Sequence, residues 1–191
     1  MSGAGFHVHG PHDHELEHAA QHEPEGFAGK LAVMTAVIAT VGALFAYMGG
    51  ATQANAGLFK NEAAIKKTEA SNQWNFYQAK SSKQNLAELA IEVVPEARKG
   101  FYADEVKRYN TEKKEVKLVA EKFEAESKDW DKKSDEQLHQ HHRWAQATTA
   151  LQIAIAMAAI ALLTKSRRFA YGVVGLSVVG LGLGVLAWLH I

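Results

Sequence analysis

Three histidines near the N-terminus have the spacing of a metal-binding helix face. His14, His18 and His22 recur every four residues, so a helix here would place the three imidazoles on one side. Imidazole nitrogens bind divalent transition metals such as Zn²⁺, Ni²⁺ and Cu²⁺. The alternative is a solvated tail, because residues 1–30 are rich in His and Glu, and their histidines would titrate near neutral pH. A metal- or pH-responsive tail is therefore one hypothesis, and we expect no other cofactor.

The remainder of the sequence lacks the residue patterns of common active sites. It contains no Cys, which excludes disulfides, thiolate zinc sites and cysteine nucleophiles. It also contains no GxxxxGK phosphate loop, no GxGxxG, no HExxH pair and no serine nucleophile elbow. The 21 basic residues are balanced by 21 acidic ones, so no net positive field favours nucleic acid. These absences predict a protein that is not an enzyme and has no nucleic-acid partner.

Three uncharged apolar segments predict membrane-spanning helices, which makes lipid the first expected partner. Residues 31–51, 144–164 and 169–189 each contain 21 residues without Asp, Glu, Lys, Arg or His, and about 20 apolar residues cross a bilayer. A basic loop, residues 165–168, separates the second and third segments. Ionisable residues inside a membrane usually serve proton or ion transport, so their absence argues against a pump.

The orientation of these spans has two opposing indicators. Residues 165–168 include three basic residues, which favours a cytoplasmic loop and places residues 52–143 on the periplasmic side. Lys60, Lys66 and Lys67 follow the first span, whereas Lys30 alone precedes it, and this favours the opposite orientation. Because charges in long inserts affect orientation less, we prefer the periplasmic placement.

The insert, residues 52–143, is a charged segment with the features of a long helical hairpin. It holds 17 of the 21 basic and 16 of the 21 acidic residues. Between residues 58 and 171, Pro95 and Gly100 are the only strong helix breakers, and they divide the insert into arms of similar length. The expected fold is therefore an all-α membrane protein, in which an antiparallel, coiled-coil-like hairpin with its turn near residues 95–100 lies between the first two spans.

Residues spaced alternately by three and four predict the contact line of this hairpin. The predicted line of the second arm is Val106, Tyr109, Lys113, Val116, Ala120, Phe123, Ser127, Trp130, Ser134, Gln137, His141 and Trp144. That of the first arm is Leu58, Asn61, Ile65, Thr68, Asn72, Asn75, Ala79, Ser82, Leu86, Leu89 and Val93. A turn at 95–100 would bring the small side chains in the middle of the first arm opposite Phe123 and Trp130. Cysteines replacing Ala79 and Ala120 should then form a crosslink.

Aromatic residues of the hairpin are candidate interaction residues. Trp74, Phe76 and Tyr77 cannot all face one contact line, because successive helical residues diverge by about 100°. At least one ring must point elsewhere, either towards a neighbouring helix or towards a protein partner, since Trp and Tyr are frequent in interaction hot spots. Phe123 and Trp130 on the second arm complete the candidate set.

Small residues at four-residue spacing mark faces where the spanning helices could approach closely. They are Gly42, Ala46 and Gly50 in the first span, Ala150, Ala154 and Ala158 in the second, and Gly180 and Gly184 in the third. These faces serve either packing inside one chain or assembly of a homo-oligomer. We expect a self-assembling protein that presents the hairpin as a scaffold or interaction surface. The alternative is a channel or transport accessory lined by Gln146, Thr149, Gln152 or Thr40.

Several stretches together resemble one known family. They are Leu16-Glu17-His18, the end of the first span at Tyr47-Met48-Gly49-Gly50, and the stretch from Lys60-Asn61-Glu62-Ala63 through Ala70 to Lys80, whose most specific part is Gln73-Trp74 to Lys80. The sequence resembles a bacterial membrane-protein family of unknown function, domain of unknown function 4337, over nearly the whole chain. The resemblance implies the bacterial inner membrane as location, and it implies no substrate or catalytic residue.

Overall fold

The computed structural model describes residues 26–190, and within that range the chain is all-α. Helix α1 is Phe27–Val93, α2 is Glu96–Thr164 and α3 is Arg167–Trp188. No strand occurs in the described range, and α1 and α2 pack closely as a hairpin. The predicted all-α class and helical hairpin are confirmed. Each helix also contains an 18-residue stretch with mean hydropathy of 2.1, 1.9 and 2.0, respectively, which by length and composition is enough to cross a membrane.

The reversal between α1 and α2 occupies two residues, Val94 and Pro95. The Val94 N–H donates to the Ala90 carbonyl at 2.9 Å, and the Pro95 carbonyl accepts from the Arg98 N–H at 2.9 Å. Pro95 has no N–H of its own and disfavours a helical conformation at the preceding residue, so α1 ends here. Gly100 lies inside α2, because a glycine within a helix costs only about 1 kcal/mol. The turn is therefore shorter than the predicted 95–100 and lies nearer the N-terminus.

The second reversal joins α2 to α3 through the basic loop. Lys165 adopts a left-handed conformation with φ of 50°, and the Ser166 N–H donates to the Ala161 carbonyl at 3.2 Å. This arrangement satisfies a terminal carbonyl of α2 and turns the chain, a function that glycine more often serves. Arg167 already belongs to α3, so only two residues of the predicted 165–168 loop lie outside a helix.

The chain divides into two units. The three-helix unit comprises residues 26–53 and 138–190 of the described range, and the two-helix unit is Ala54–Gln137. Helices α1 and α2 each contribute to both units without interruption. The predicted span limits at residues 51 and 144 therefore fall inside continuous helices.

The core of the three-helix unit forms where large side chains meet glycine. Leu151 is fully buried, and a Cβ added to Gly180 would lie 2.5 Å from its Cδ2 atom. Gly42 faces the same leucine, with its added Cβ at 3.7 Å from the Leu151 Cβ. Gly184 in turn leaves room for the ring of Phe45. Glycine at these positions lets α1, α2 and α3 approach closely.

The small residues predicted for helix packing occupy two kinds of environment. Ala154 and Ala158 are fully buried beside Leu151, and Ala150 is half-buried. Ala46 and Gly50 are exposed, and a Cβ on Gly50 would meet nothing within 4 Å. Packing inside one chain thus accounts for most of these residues, but not for those two.

Candidate interaction surface of the two-helix unit

The buried contact between α1 and α2 in this unit is built from small residues at seven-residue spacing. Ala56, Ala63 and Ala70 lie on α1, with exposed fractions of 6%, 3% and 3%. On α2, Ser127 donates its hydroxyl to the Ala63 carbonyl at 2.9 Å, and Ser134 donates to the Ala56 carbonyl at 2.8 Å. Side chains this small allow the backbones to come close enough for a serine hydroxyl to reach the opposite helix. We call this line the small-residue seam.

The predicted contact line of α2 agrees with the structure, whereas that of α1 is wrong. All twelve predicted α2 positions are buried or half-buried. All eleven predicted α1 positions are exposed: Leu58, Asn61, Ile65, Thr68, Asn72, Asn75, Ala79, Ser82, Leu86, Leu89 and Val93. The prediction placed the largest aliphatic residues in the contact, but the contact uses alanines two residues earlier. A shift of two residues turns a helix by about 200°, so these eleven residues form the opposite side, here called the outer face of α1.

The predicted register is also wrong, because the chain reverses earlier than expected. Lys80 forms an ion pair with Glu112, and Lys113 lies over the Tyr77 ring at 5.4 Å. Along the hairpin, Ala79 therefore lies at the level of residues 112–113 and not at the level of Ala120. Eight residues of helix correspond to about 12 Å, too far for a crosslink.

The two predicted rings of α2 consequently meet partners nearer the start of the unit. Lys66 lies over the Phe123 ring at 5.0 Å, and the Trp130 ring packs against Phe59 with centroids 5.5 Å apart. Neither ring faces the small polar stretch of residues 72–82. Phe123 and Trp130 therefore serve contacts inside the hairpin, and both remain half-buried.

One of the three neighbouring rings of α1 points away from the other two, because successive helical residues diverge by about 100°. The Trp74 indole N–H donates to the Glu124 carboxylate at 2.8 Å. Tyr77 packs edge-on against Trp74, with centroids 5.6 Å apart, and faces the seam. Phe76 is 59% exposed. Trp74 and Tyr77 therefore support the hairpin, and Phe76 is the ring directed away from it.

A shallow groove runs beside the small-residue seam at Trp74. It has a volume of about 590 Å³. Its walls combine amide, hydroxyl and charged groups with the indole, and its lining includes Ser71, Trp74, Asn75, Gln78, Glu124 and Lys128. The groove contains donors, acceptors and both signs of charge, which is the composition of a polar protein-contact surface rather than that of an apolar ligand pocket.

The comparison with known families gives a match over the three helices. Residues 27–190 match the family described as Domain of unknown function (DUF4337). The chain belongs to this family. The match includes all three helices of this DUF4337 member. No curated protein and no solved structure matches the chain.

Ion pairs flank the seam on both sides and link the two helices. Lys60 pairs with Asp131 at 2.8 Å, and Lys66 pairs with Glu126 at 3.4 Å. A hydrogen bond from Lys80 lowers the pKa of Glu112 below its ordinary 4.5. Hydrogen bonds to Glu69 and to Glu126 raise the pKa of Lys66 above 10.5. Because these groups are partly exposed, solvent screens the pairs and each contributes little stability, but together they favour this register.

The predicted metal ligands His14, His18 and His22 lie outside the described residues. Within residues 26–190, no group of three or more His, Cys, Asp or Glu side chains could hold a metal ion. In the three-helix unit, the His141 Nδ1 atom lies 2.8 Å from the Gly49 carbonyl oxygen. Since a carbonyl can only accept, this nitrogen donates its proton. His141 therefore serves helix packing.

The small-residue seam was missed on α1 although the sequence contains its signal. Ala56, Ala63 and Ala70 repeat every seven residues, and so do Ala120, Ser127 and Ser134. Matching the two repeats, rather than searching each helix for its largest apolar residues, would have identified the correct face. To decide which residue of one repeat lies opposite which residue of the other, one also needs the position of the reversal, near Val94 and Pro95.

Proposed function

We propose that this chain is a multi-pass protein of the bacterial inner membrane with a structural, non-enzymatic role. Three apolar helix stretches support the proposal, because only 28%, 33% and 22% of their residues are buried inside the chain. Most of this apolar surface must be covered by something else, and lipid covers the outside of spanning helices. On this proposal residues 31–51, 144–164 and 169–189 lie in the bilayer.

The proposed role of the remaining residues is to present an interaction surface. Residues 52–143 stay outside the membrane, on the periplasmic side if residues 165–168 are cytoplasmic. Support comes from the two-helix unit, which carries the polar groove at Trp74 and an exposed Phe76. Closely packed helices joined by ion pairs form a stiff support, and exposed aromatic residues favour protein contacts.

Membrane insertion and orientation can be measured together on the full chain. We expect the protein to remain in bacterial membranes after alkaline carbonate extraction. We also expect Glu115→Cys, on the exposed side of α2, to react with a membrane-impermeant maleimide in spheroplasts. The matched variant Ser166→Cys, in the basic loop, should react only after lysis. Release by carbonate would overturn membrane insertion, and the reverse labelling pattern would overturn the periplasmic placement.

A channel or transport accessory is a second proposal, supported by two amides in the second span. Gln146 and Gln152 are both exposed within the apolar part of α2, where an amide facing lipid lacks partners. In an oligomer these side chains would face another copy or a water-filled path. We expect liposomes that contain the purified chain to conduct ions. We expect the double variant Gln146→Leu with Gln152→Leu to abolish this flux. Unchanged flux in this variant, or no flux in the original, would overturn the proposal.

A further inference from the structure

The outer face of α1 in the two-helix unit is an uncharged strip with aliphatic residues at both ends and small or polar residues between them. It meets no partner within residues 26–190. Leu58, Leu86, Leu89 and Val93 are 64%, 65%, 61% and 74% exposed, and Ile65 is 44% exposed. Leu58, Ile65, Leu86 and Val93 lie on one seven-residue repeat, and Asn72 occupies another position of that repeat. None of the eleven outer-face residues is charged. An uncharged face with a seven-residue repeat and aliphatic residues at both ends offers a surface for a second helix.

The opposite side of the hairpin has a different composition. The corresponding exposed line on α2 is mostly charged and includes Asp104, Arg108, Glu115, Lys122 and Asp129, with Leu118 also exposed on it. Several of these residues form ion pairs along α2 itself, such as Asp129 with Lys133 at 2.7 Å. A charged face of this kind is a solvated face. The two helices experience the same solvent but differ in outer-face composition, so exposure to water alone does not explain the strip on α1.

We propose that the outer face of α1 binds the outer face of α1 in a second copy of this chain, with the two helices parallel. The inference rests on the proposed function, because two copies inserted in one membrane in the same orientation must run their α1 helices in the same direction. In a parallel pair each residue of the seven-residue repeat meets its own copy. Asn72 then meets Asn72 of the second copy, the arrangement by which a polar residue specifies register in two-stranded coiled coils.

The available area is sufficient for such a pair. At the observed exposures, each of the five aliphatic side chains offers on the order of 100 Å² of apolar surface. Five from each copy together supply about 1,000 Å², the size at which specific interfaces begin. Contacts from the polar residues between them, and from Phe76 at the edge, add to this area. Confinement to one membrane raises the effective concentration of the two copies, so a modest interface is enough.

The flanking charges also permit a parallel pair. In this arrangement a residue at one flank faces the residue five positions later on the other copy. Ala64 would face Glu69, and Gln78 would face Lys83. Ser71 would likewise face Phe76, and Asn85 would face Ala90. Each flanking contact contains at most one charged residue, so like charges do not oppose each other.

A single-cysteine scan of the full chain tests the proposal, because the sequence has no native Cys. Asn61→Cys, Asn72→Cys and Ser82→Cys are compared in oxidised membranes with Lys122→Cys on the charged side of α2. Disulfides need Cα separations of roughly 4.4 to 6.8 Å. We expect all three outer-face variants to form homodimers about tenfold more efficiently than Lys122→Cys, since adjacent thiols react and distant ones do not.

Each other result overturns the proposal. Crosslinking no better than at Lys122→Cys would mean that the outer face does not meet a second copy. Crosslinking at Asn72→Cys alone would mean an antiparallel pair, in which only residues near the centre meet their own copy. Adducts with a mass other than twice that of the chain would mean a different protein partner.

A second measurement separates this inference from the proposed function. Ile65→Glu with Leu86→Glu should lower the native mass of the detergent-extracted protein to that of a monomer. Leu118→Glu, at a position on α2 that is 67% exposed, should leave the mass unchanged. Helical circular dichroism checks that both variants remain folded. A chain that stays in carbonate-washed membranes but shows no mass change overturns the dimer alone, whereas release by carbonate overturns the proposed function.

Discussion

The two faces of α1 in the two-helix unit reverse the usual distribution of side-chain sizes. The face against α2 contains Ala63 and Ala70, each 3% exposed, whereas the outer face contains Leu58 and Leu86, 64% and 65% exposed. Burial of large aliphatic side chains normally dominates helix pairing because it removes the most apolar area from water. In this hairpin, close approach of the backbones determines the buried face instead.

This difference supports the proposal that α1 makes two different contacts, one inside the hairpin and one with a second copy. Alanine side chains permit the serine–carbonyl hydrogen bonds of Ser127 and Ser134, which leucines at Ala56 and Ala63 would prevent. The aliphatic outer face lacks such specific bonds and suits a contact formed after the hairpin has folded. The expected effects of substitution follow from this contrast.

A crosslinking comparison gives the largest expected difference, since its outcome is all or none. Ala63→Cys combined with Ser127→Cys should form a disulfide within one chain, because the Ser127 hydroxyl already reaches the Ala63 carbonyl at 2.9 Å. Ala79→Cys combined with Ala120→Cys should not. Non-reducing electrophoresis after protease cleavage near Pro95 measures both. A bridge only in the second variant would restore the register with a turn at 95–100 and contradict the seam.

Enlarging one of two adjacent alanines compares the faces directly. Ala63→Leu should lower the free energy of unfolding by about 1 to 3 kcal/mol, because three extra carbons do not fit a closely packed contact. Ala64→Leu, at an exposed neighbour, should change it by less than about 0.5 kcal/mol. Denaturant unfolding of the full chain in detergent, followed by circular dichroism, provides the measurement. Equal effects at the two positions would show that the seam is not close-packed.

Removal of a seam hydroxyl should have a smaller effect. Ser127→Ala eliminates the hydrogen bond to the Ala63 carbonyl and should cost about 1 kcal/mol, the usual net value of such a bond. Ser82→Ala, on the outer face, removes a bond to the Gln78 carbonyl of the same helix and should be close to neutral. The same denaturant titration measures both. A larger loss at Ser82 than at Ser127 would reverse the assignment of the two faces.

The pH dependence of the Lys80–Glu112 pair should be the smallest effect. Its lowered pKa means that Glu112 contributes stability above pH 4.5, the ordinary value, and loses that contribution as pH falls through its folded pKa. Glu112→Gln should therefore be slightly less stable than the original at pH 7 and equally stable in strong acid. Glu115→Gln, on the exposed side of α2, is the matched control for removing one carboxylate from this helix. A stability difference for Glu112→Gln that persists in acid would argue against an electrostatic origin.

The helices of the chain and their approximate ends could be predicted from the sequence, because they depend on residues that are neighbours along the chain. Long helices, the reversal near Pro95 and the buried line of α2 all follow from periodicity and backbone chemistry. The α2 line was predicted correctly because Phe123 and Trp130 share it with Ala120, Ser127 and Ser134. Its large and small residues therefore indicate the same face.

The face of α1 and the register of the hairpin could not be predicted in this way. On α1 the large residues and the small residues lie on opposite sides, so periodicity alone offers two faces that are both consistent with a helix pair. The choice depends on which face complements α2 at close range, and an error of a few residues in the turn changes every opposing pair. The spacing of aliphatic residues determined which face of α1 could make a contact. Only the tertiary structure decided that the alanine face would be the buried one. The reason is that close approach of the backbones requires small residues at the same level on both helices.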